Sequence, residues 1–345
     1  MSRSWLPHPA RTIRPQHNCD LPRYATLPLA MAALTHGLAP TPQTAVACQQ
    51  CGGAHHQPSP PTPGPRKAPK MTTQHVVMWS GGITSWATAR HVIAEHGTAS
   101  VTLLFADTLI EDEDLYTFNE QASAQLGVPI TRVADGRDPW QVFEDKRWLG
   151  NTRIAQCSHA LKQEPCRDWL VEHTDPADTV LYVGIDWTET ERLPGIVRGW
   201  APWTVSAPLT RPPYRDKAQL LNEAQSAGLL LPRLYDLGFA HNNCGGACVK
   251  GGQAQWTRLL EVFPERFAHV EAFEQRMRDR LGKDVSILRD RRGGTTKPLP
   301  LAELRQRIER RKHEQPDLFS ILDAEPDDEI DTQDMGGCGC FTDAA

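Results

Sequence analysis

The stretch that most constrains this chain is Val76-Val77-Met78-Trp79-Ser80-Gly81-Gly82-Ile83-Thr84-Ser85-Trp86, an apolar run that stops at two glycines and leads into helical composition over residues 85–96. A strand that turns through glycine into a helix brings backbone N–H groups and the positive end of a helix dipole to one spot, which favours an anion. Glycine lets a ligand approach the backbone because no Cβ stands in the way. Ser80, Thr84 and Ser85 add hydroxyls. The pattern predicts a phosphate cradle. It is not the Walker type, which ends in Gly-Lys-Ser/Thr. The alternative reading is a plain strand-to-helix turn that uses glycine for geometry alone.

From this point the chain alternates between strand and helix patterns. Residues 101–106 are a continuous apolar run, fitting a strand buried on both faces. Residues 114–126 have helical spacing and end at Gly127, a natural C-cap. A third strand is expected over residues 128–133, helices over 139–148 and 165–173, and a fourth strand over 179–185. Such alternation predicts a parallel sheet covered on both faces, with ligands outside the carboxyl ends of the strands. Ser80–Ser85, Asp107 and Gly184-Ile185-Asp186 all fall at such ends. Residues 187–215, rich in Trp, Pro and Arg, read as a long ordered loop or lid. Helical patterns return at 217–230, 263–281 and 301–312.

The expected division is therefore a disordered, proline-rich extension over residues 1–70, a nucleotide-binding domain over 71–215, a helical extension with a cysteine motif over 216–312, and an acidic flexible tail over 313–345. Met71 stands just before the first strand and reads as a natural start. The fold class is α/β: a doubly wound parallel sheet with a helical C-terminal extension.

A net charge of −5 over 345 residues offers no global basic field to nucleic acid or an anionic membrane. No apolar run approaches the roughly 18 residues of a membrane span, so no membrane partner is expected. Nine cysteines, mostly in close pairs along a long chain, point to metal or redox work in a reducing, cytoplasmic compartment. Cys48 and Cys51, with His55 and His56 nearby, make half a zinc knuckle without a second pair at suitable spacing. Cys244 and Cys248 flank two glycines and an alanine, and Cys338 and Cys340 form a second glycine-flanked pair. Cys157 is a fifth candidate. These thiols suit a four-iron cluster, zinc in a tetrahedron, a thiol–disulfide couple, or plain buried packing. Cys166, Trp79 and Trp86 read as packing.

Among the charged residues, Asp107 stands where a carboxylate accepts from an adenine amine or a ribose hydroxyl, or else caps the next element. The run Glu111-Asp112-Glu113-Asp114 reads as a solvated helix start, or as the source of one carboxylate for Mg²⁺. Arg289, Arg291, Arg292, Arg305, Arg307, Arg310 and Arg311 form a local basic region, read as a solvated helix face or as a nucleic-acid contact.

Four segments in order resemble the PP-loop (adenine-nucleotide α-hydrolase) superfamily and its phosphoadenosine phosphosulfate (PAPS) reductase-like branch, over roughly residues 74–290. Ser80-Gly81-Gly82-Ile83-Thr84-Ser85 looks like the PP-loop. Phe105-Ala106-Asp107-Thr108, with Glu111 and Tyr116-Thr117-Phe118, looks like the motif beside the adenosine. Cys157-Ser158-His159-Ala160-Leu161-Lys162, with Pro165 and Trp169, is similar to the reductase Cys-x-x-x-x-Lys-x-x-Pro segment. Gly184-Ile185-Asp186, with Glu189, Glu191 and Arg192, looks like the strand-end motif that closes over the nucleotide. Asn243–Lys250 and the tail Gly337-Cys338-Gly339-Cys340-Phe341 resemble a subgroup common in phage and bacterial genomes.

The resemblance implies an enzyme that takes ATP or PAPS, with Mg²⁺ and a 4Fe-4S cluster held by Cys244, Cys248, Cys338 and Cys340. Its nucleotide would rest on Ser80, Gly81, Gly82, Thr84, Ser85, Asp107, Gly184 and Asp186, and catalysis on Lys162, Arg192 and Cys157. The expected reaction is cleavage of ATP at the α-phosphate, leaving pyrophosphate and an adenylylated acceptor for sulfur transfer. The acceptor would be a tRNA, DNA, a metabolite or a carrier protein. The alternatives are a PAPS reductase-like oxidoreductase and a nucleotide-binding module without turnover. Two departures stand out. Ile83-Thr84 replaces the Lys-Asp of many PP-loops, so Lys162, Arg153, Arg192 or Arg198 would have to neutralise the phosphates. The terminal Glu-Cys-Gly-x-His of PAPS reductases is absent.

Overall fold

The computed structural model describes residues 26, 28, 30, 31, 43–47, 53–58, 73–149 and 155–314. Cys48, Cys51, Arg153, Cys338 and Cys340 lie outside these residues, as does the acidic tail beyond residue 314. The chain divides into two compact units, Met1–Lys70 and Met71–Ala345.

In the first unit β1 (Gln43–Ala47) pairs antiparallel with β2 (Ala54–Pro58), placing Gln43 opposite Pro58. The His56 Nε2 lies 2.8 Å from the Ala30 carbonyl oxygen. A segment expected to be disordered thus carries a hairpin. Two five-residue runs amid proline and glutamine have too little apolar periodicity to announce it.

The second unit is built on a five-stranded sheet of β3 (Gln74–Trp79), β4 (Val101–Ala106), β5 (Ile130–Val133), β6 (Thr179–Val183) and β7 (Thr204–Ser206), in the order β5-β4-β3-β6-β7. Every neighbouring pair is parallel. Successive residues point to opposite faces. Val77, Trp79, Leu103 and Phe105 pack on one face with residues of α1 (Ile83–His96) and α2 (Glu113–Leu126). Val76, Met78, Leu104 and Ala106 pack on the other with α4 (Glu164–His173) and α5 (Leu193–Trp200), while α3 (Pro139–Lys146) follows β5. The fold is the expected doubly wound α/β sheet. Trp79 and Trp86 are fully buried in one core and Cys166 in the other.

The expected lid at 187–215 is instead mostly regular structure. A 3₁₀ turn covers Trp187–Arg192, α5 follows, and β7 adds the edge strand. The sequence hides these elements because α5 contains two glycines, poor helix formers, and β7 is only three residues long.

The C-terminal part is helical. Leu220 and Ala224 of α6 (Lys217–Ser226) join the core that holds α1. The helices α7 (Gln253–Val262), α8 (Pro264–Leu281) and α9 (Leu301–Glu314) form a separate core around Trp256, Phe267 and Phe273. A small hairpin, β8 (Leu288–Asp290) with β9 (Lys297–Leu299), precedes α9. Three arginines of the basic region are ion-paired: Arg305 pairs with Glu271 at 2.9 Å, and Arg307 and Arg292 each pair with Asp290 at 2.7 Å. Among the described residues no helix is long and apolar enough to cross a membrane.

Strand order reverses between β3 and β6, which are neighbours in the sheet although β4 and β5 intervene in the chain. This switch point lies outside the carboxyl ends of β3 and β6, the position where open α/β sheets hold ligands in a crevice.

Candidate functional site

The turn after β3 lies at that crevice. Gly81 adopts φ +73°, and a Cβ there would come 2.7 Å from Leu115 Cγ. The Gly82 N–H donates to Ser80 Oγ at 3.3 Å, and the Ser85 hydroxyl donates to the Gly82 carbonyl at 2.7 Å. The Ile83 N–H donates to the Tyr235 hydroxyl oxygen at 3.1 Å. Helix α1 leaves its first N–H groups without intrahelical partners. Those of Thr84 and Ser85 have no hydrogen-bond partner among the described residues. The loop is braced from below by Asn242, whose Nδ2 reaches the Gly81 carbonyl at 3.5 Å.

Gly184, just past β6, closes the other side. A Cβ on it would lie 2.9 Å from the Ser85 nitrogen and 3.0 Å from the Thr84 carbonyl carbon. The two strand-end segments singled out in the sequence are therefore in backbone contact. Beyond Gly184, Asp186 caps the 3₁₀ turn, accepting from the Thr188 N–H at 2.8 Å and its hydroxyl at 2.6 Å. Arg192 on that turn pairs with Glu189.

Beside this crevice a second cluster forms. Cys157, Cys244, Cys248 and Lys162 line one cleft with Thr108 and Pro139. Cys157 and Lys162 come from a helical segment that widens into π-type turns at His159–Gln163, a distortion often found at functional sites. Lys162 is buried and lies 3.7 Å from Glu111. Glu111 also accepts from the Thr108 hydroxyl at 2.9 Å and from the Cys244 N–H. Burial pushes the Glu111 carboxyl upward against the pull of Lys162. For Lys162, burial opposes the charge, but Glu111, Cys244, Cys248 and Cys157 outweigh it and raise its pKa. Cys244 and Cys248 act on one another: the neighbouring Cys244 lowers Cys248 to about 7, while Cys248 and burial raise Cys244 well above the usual thiol range. Burial pushes Cys157 up to about 12.

The acidic run is not a solvated helix start at its head. Glu111 and Asp112 are buried; Asp112 caps α2 through the Asp114 N–H at 3.2 Å, and it binds Arg233 at 3.0 Å and Arg266 at 2.7 Å. Neither carboxylate fits a magnesium site, since both already hold cations. Asp107 is fully buried and accepts from the Leu109 N–H at 2.8 Å and the Tyr116 hydroxyl at 2.9 Å, with Arg132 at 2.5 Å. These bonds make it an anchor for the turn after β4.

Three residues that sequence reasoning passed over complete the crevice. Tyr235 and Asn242 touch the loop directly, and Lys217, at the first position of α6, has its Nζ 5.4 Å from the Tyr235 ring. Lys217 donates to the Ala240 carbonyl, and burial lowers its pKa against the nearby charges of Glu189 and Asp186. His241 is lowered to about 4 by burial, then by Lys217 and Lys162, so it is neutral near pH 7. The His241 Nδ1 and the Oδ1 atoms of Asn242 and Asn243 are buried without a partner. The available signal was His241-Asn242-Asn243 directly before Cys244, a polar run abutting a glycine–cysteine motif.

Among the described residues no group of three or more His, Cys, Asp or Glu side chains is placed to hold a metal ion. Two of the four thiols expected to hold a cluster, Cys338 and Cys340, lie outside those residues. The described residues alone do not fit an iron–sulfur or zinc centre.

No protein-family model matches the chain, and no curated protein matches it. Among solved structures it is similar to a phosphoadenylyl-sulfate (PAPS) reductase from Candida auris in a phosphate complex, at 17% identity and TM-score 0.35, covering 48% of this chain and 78% of that one. It is also similar to an NH3-dependent NAD synthetase from Campylobacter jejuni subsp. jejuni NCTC 11168 in complex with the nitrate ion, at 14% identity and TM-score 0.34, covering 62% of this chain and 86% of that one. Overlaps of this extent leave the functional reading to the geometry of the site.

Proposed function

We propose that the chain is an adenine-nucleotide-binding enzyme of the PP-loop kind that cleaves ATP between its α- and β-phosphates. An acceptor nucleophile attacks the α-phosphorus, the bridging P–O bond breaks, pyrophosphate leaves, and an adenylylated acceptor forms. The observation that carries this reading is the Ser80–Ser85 turn at the switch point, where the Thr84 and Ser85 N–H groups have no partner among the described residues and Gly184 presses β6 against the start of α1. Donors fixed in place before the reaction stabilise charge that develops on phosphate oxygens. Lys162 lines one cleft with the three thiols, which supports sulfur transfer as the use of the activated acceptor.

A second reading, a PAPS reductase-like oxidoreductase, is favoured by the same thiols: Cys157, Cys244 and Cys248 share one cleft with a buried lysine. Product analysis separates the two. Anaerobic protein is incubated with ATP, water serving as the acceptor, and, separately, with PAPS and a dithiol as the two-electron reductant. AMP and pyrophosphate from ATP support the first reading, and sulfite with adenosine bisphosphate from PAPS supports the second. Binding of either nucleotide with no product leaves the chain as a nucleotide-binding module and sinks both.

A further inference from the structure

We propose that Lys217 is the phosphate-binding cation that the loop itself lacks, and that Asn242 offers its side-chain oxygen to a hydroxyl of the same ligand. The ligand class is a ribonucleoside di- or triphosphate. The inference rests on the nucleotide reading above and assigns the residues that read the phosphates and the sugar.

Two of the other candidate cations already face carboxylates, and Arg153 lies outside the described residues. The loop carries Ile83-Thr84 and no charge. Lys162 holds Glu111 at 3.7 Å, Arg192 holds Glu189, and Arg198 is exposed in the last turn of α5. Lys217 differs. Its backbone is fixed at the first position of α6 by the capping box of Asp216 and Gln219. Its ammonium lies over the Tyr235 ring, whose hydroxyl contacts the Ile83 N–H at the head of α1. No carboxylate lies within ion-pair distance of it among the described residues. The groups that face it are the Ala240 carbonyl, the Tyr235 ring, neutral His241, and Asp186 and Glu189 from the end of β6. With only a carbonyl and a ring as contacts among the described residues, this ammonium has donors left to offer an anion. An anion at the α1 terminus accepts from them while also meeting the Thr84 and Ser85 N–H groups.

Asn242 is an independent sign of a ligand. Its side chain is 0% exposed, its nitrogen is fixed to the Gly81 carbonyl, and its oxygen has no partner. A buried acceptor of this kind calls for a donor. Phosphate has none to give near neutral pH, whereas a ribose hydroxyl does.

The test is calorimetric titration of the full chain and of Lys217→Met, Lys217→Arg and Asn242→Leu with ATP, AMP and adenosine. Lys217→Met is expected to weaken ATP about ten-fold or more and to leave adenosine within about two-fold, since a charge-assisted contact is lost. Lys217→Arg is expected to recover most of the loss. Asn242→Leu is expected to weaken all three ligands alike. Melting curves of each variant establish that it is folded. ATP binding to the original chain that is unchanged by Lys217→Met overturns the assignment of the cation. Adenosine binding unchanged by Asn242→Leu overturns the assignment of the sugar contact. No ATP binding by the original chain overturns the nucleotide reading itself, and the inference with it.

Discussion

Gly184 and Ser85 meet backbone to backbone across the switch point, with 2.9 Å between the Ser85 nitrogen and the place a Cβ would occupy on Gly184. Backbone cannot swing aside as the end of a side chain can. Gly184→Ala should therefore push β6 away from α1 and cost about 1–3 kcal/mol, the range for overpacking a tight contact. It should also weaken ATP binding, because the Thr84 and Ser85 N–H groups move with the helix start. Urea unfolding and an ATP titration check the two effects; a variant as stable and as competent as the parent would show that the contact has slack.

Glu111→Gln leaves Lys162 buried with its carboxylate partner removed. Breaking one side of a buried pair costs about 3–5 kcal/mol. The double change Glu111→Gln with Lys162→Met should cost less than Glu111→Gln alone, since no stranded charge remains. A double-mutant cycle by denaturant unfolding measures the coupling. Additive costs would mean that the 3.7 Å pair contributes little.

His75 and His96 stack with ring centroids 3.8 Å apart, and both contact the Tyr182 hydroxyl. Burial and His96 lower the pKa of His75, with Glu95 opposing. The folded chain therefore binds a proton at His75 less readily than the unfolded chain, whose histidine titrates near about 6.5. Stability from this site is full above that pH and falls as the pH drops through it toward the lower folded value. Unfolding free energies at about pH 5.5 and about pH 7.5 should differ by less in His75→Phe than in the parent.

Cys248 should be the first thiol of the cleft to react. The Cys244 thiol lowers it to about 7, whereas burial holds Cys157 and Cys166 up near about 12. The thiolate is the reactive form. Limiting iodoacetamide under anaerobic conditions, followed by peptide mass spectrometry, should label Cys248 with a rate that rises through pH about 7. Cys244→Ala should move that midpoint upward. Equal labelling of Cys157 and Cys248 near neutral pH would count against the influence of Cys244 on Cys248.

The sheet was legible because its strands are continuous apolar runs and its helices carry 3.6-residue periodicity, as in β4 and α2. The loop was legible because Gly81-Gly82 follows a strand. β7 was not, because three residues hold no period. Glu111 and Asp112 read as solvated because charge suggests exposure; Arg233 and Arg266, more than a hundred residues away, are what let Asp112 be buried. Lys217, Tyr235 and Asn242 escaped for the same reason: each looks ordinary in its own segment. Only the fold places them at a turn more than a hundred residues earlier.

The Tyr235 hydroxyl at the Ile83 N–H gives the crevice a character that a bare helix end does not have. One of the exposed donors of α1 is already answered from within the protein, and Asn242 holds the carbonyl side of the same turn. Held by protein groups on both sides, the proposed seat would ask little ordering of backbone from a ligand. At Ile83 its arrival is an exchange of one oxygen for another, and only the difference between them counts towards affinity. In the proposed nucleotide site the discriminating contacts are then those with no internal substitute, the N–H groups of Thr84 and Ser85 and the Asn242 side-chain oxygen.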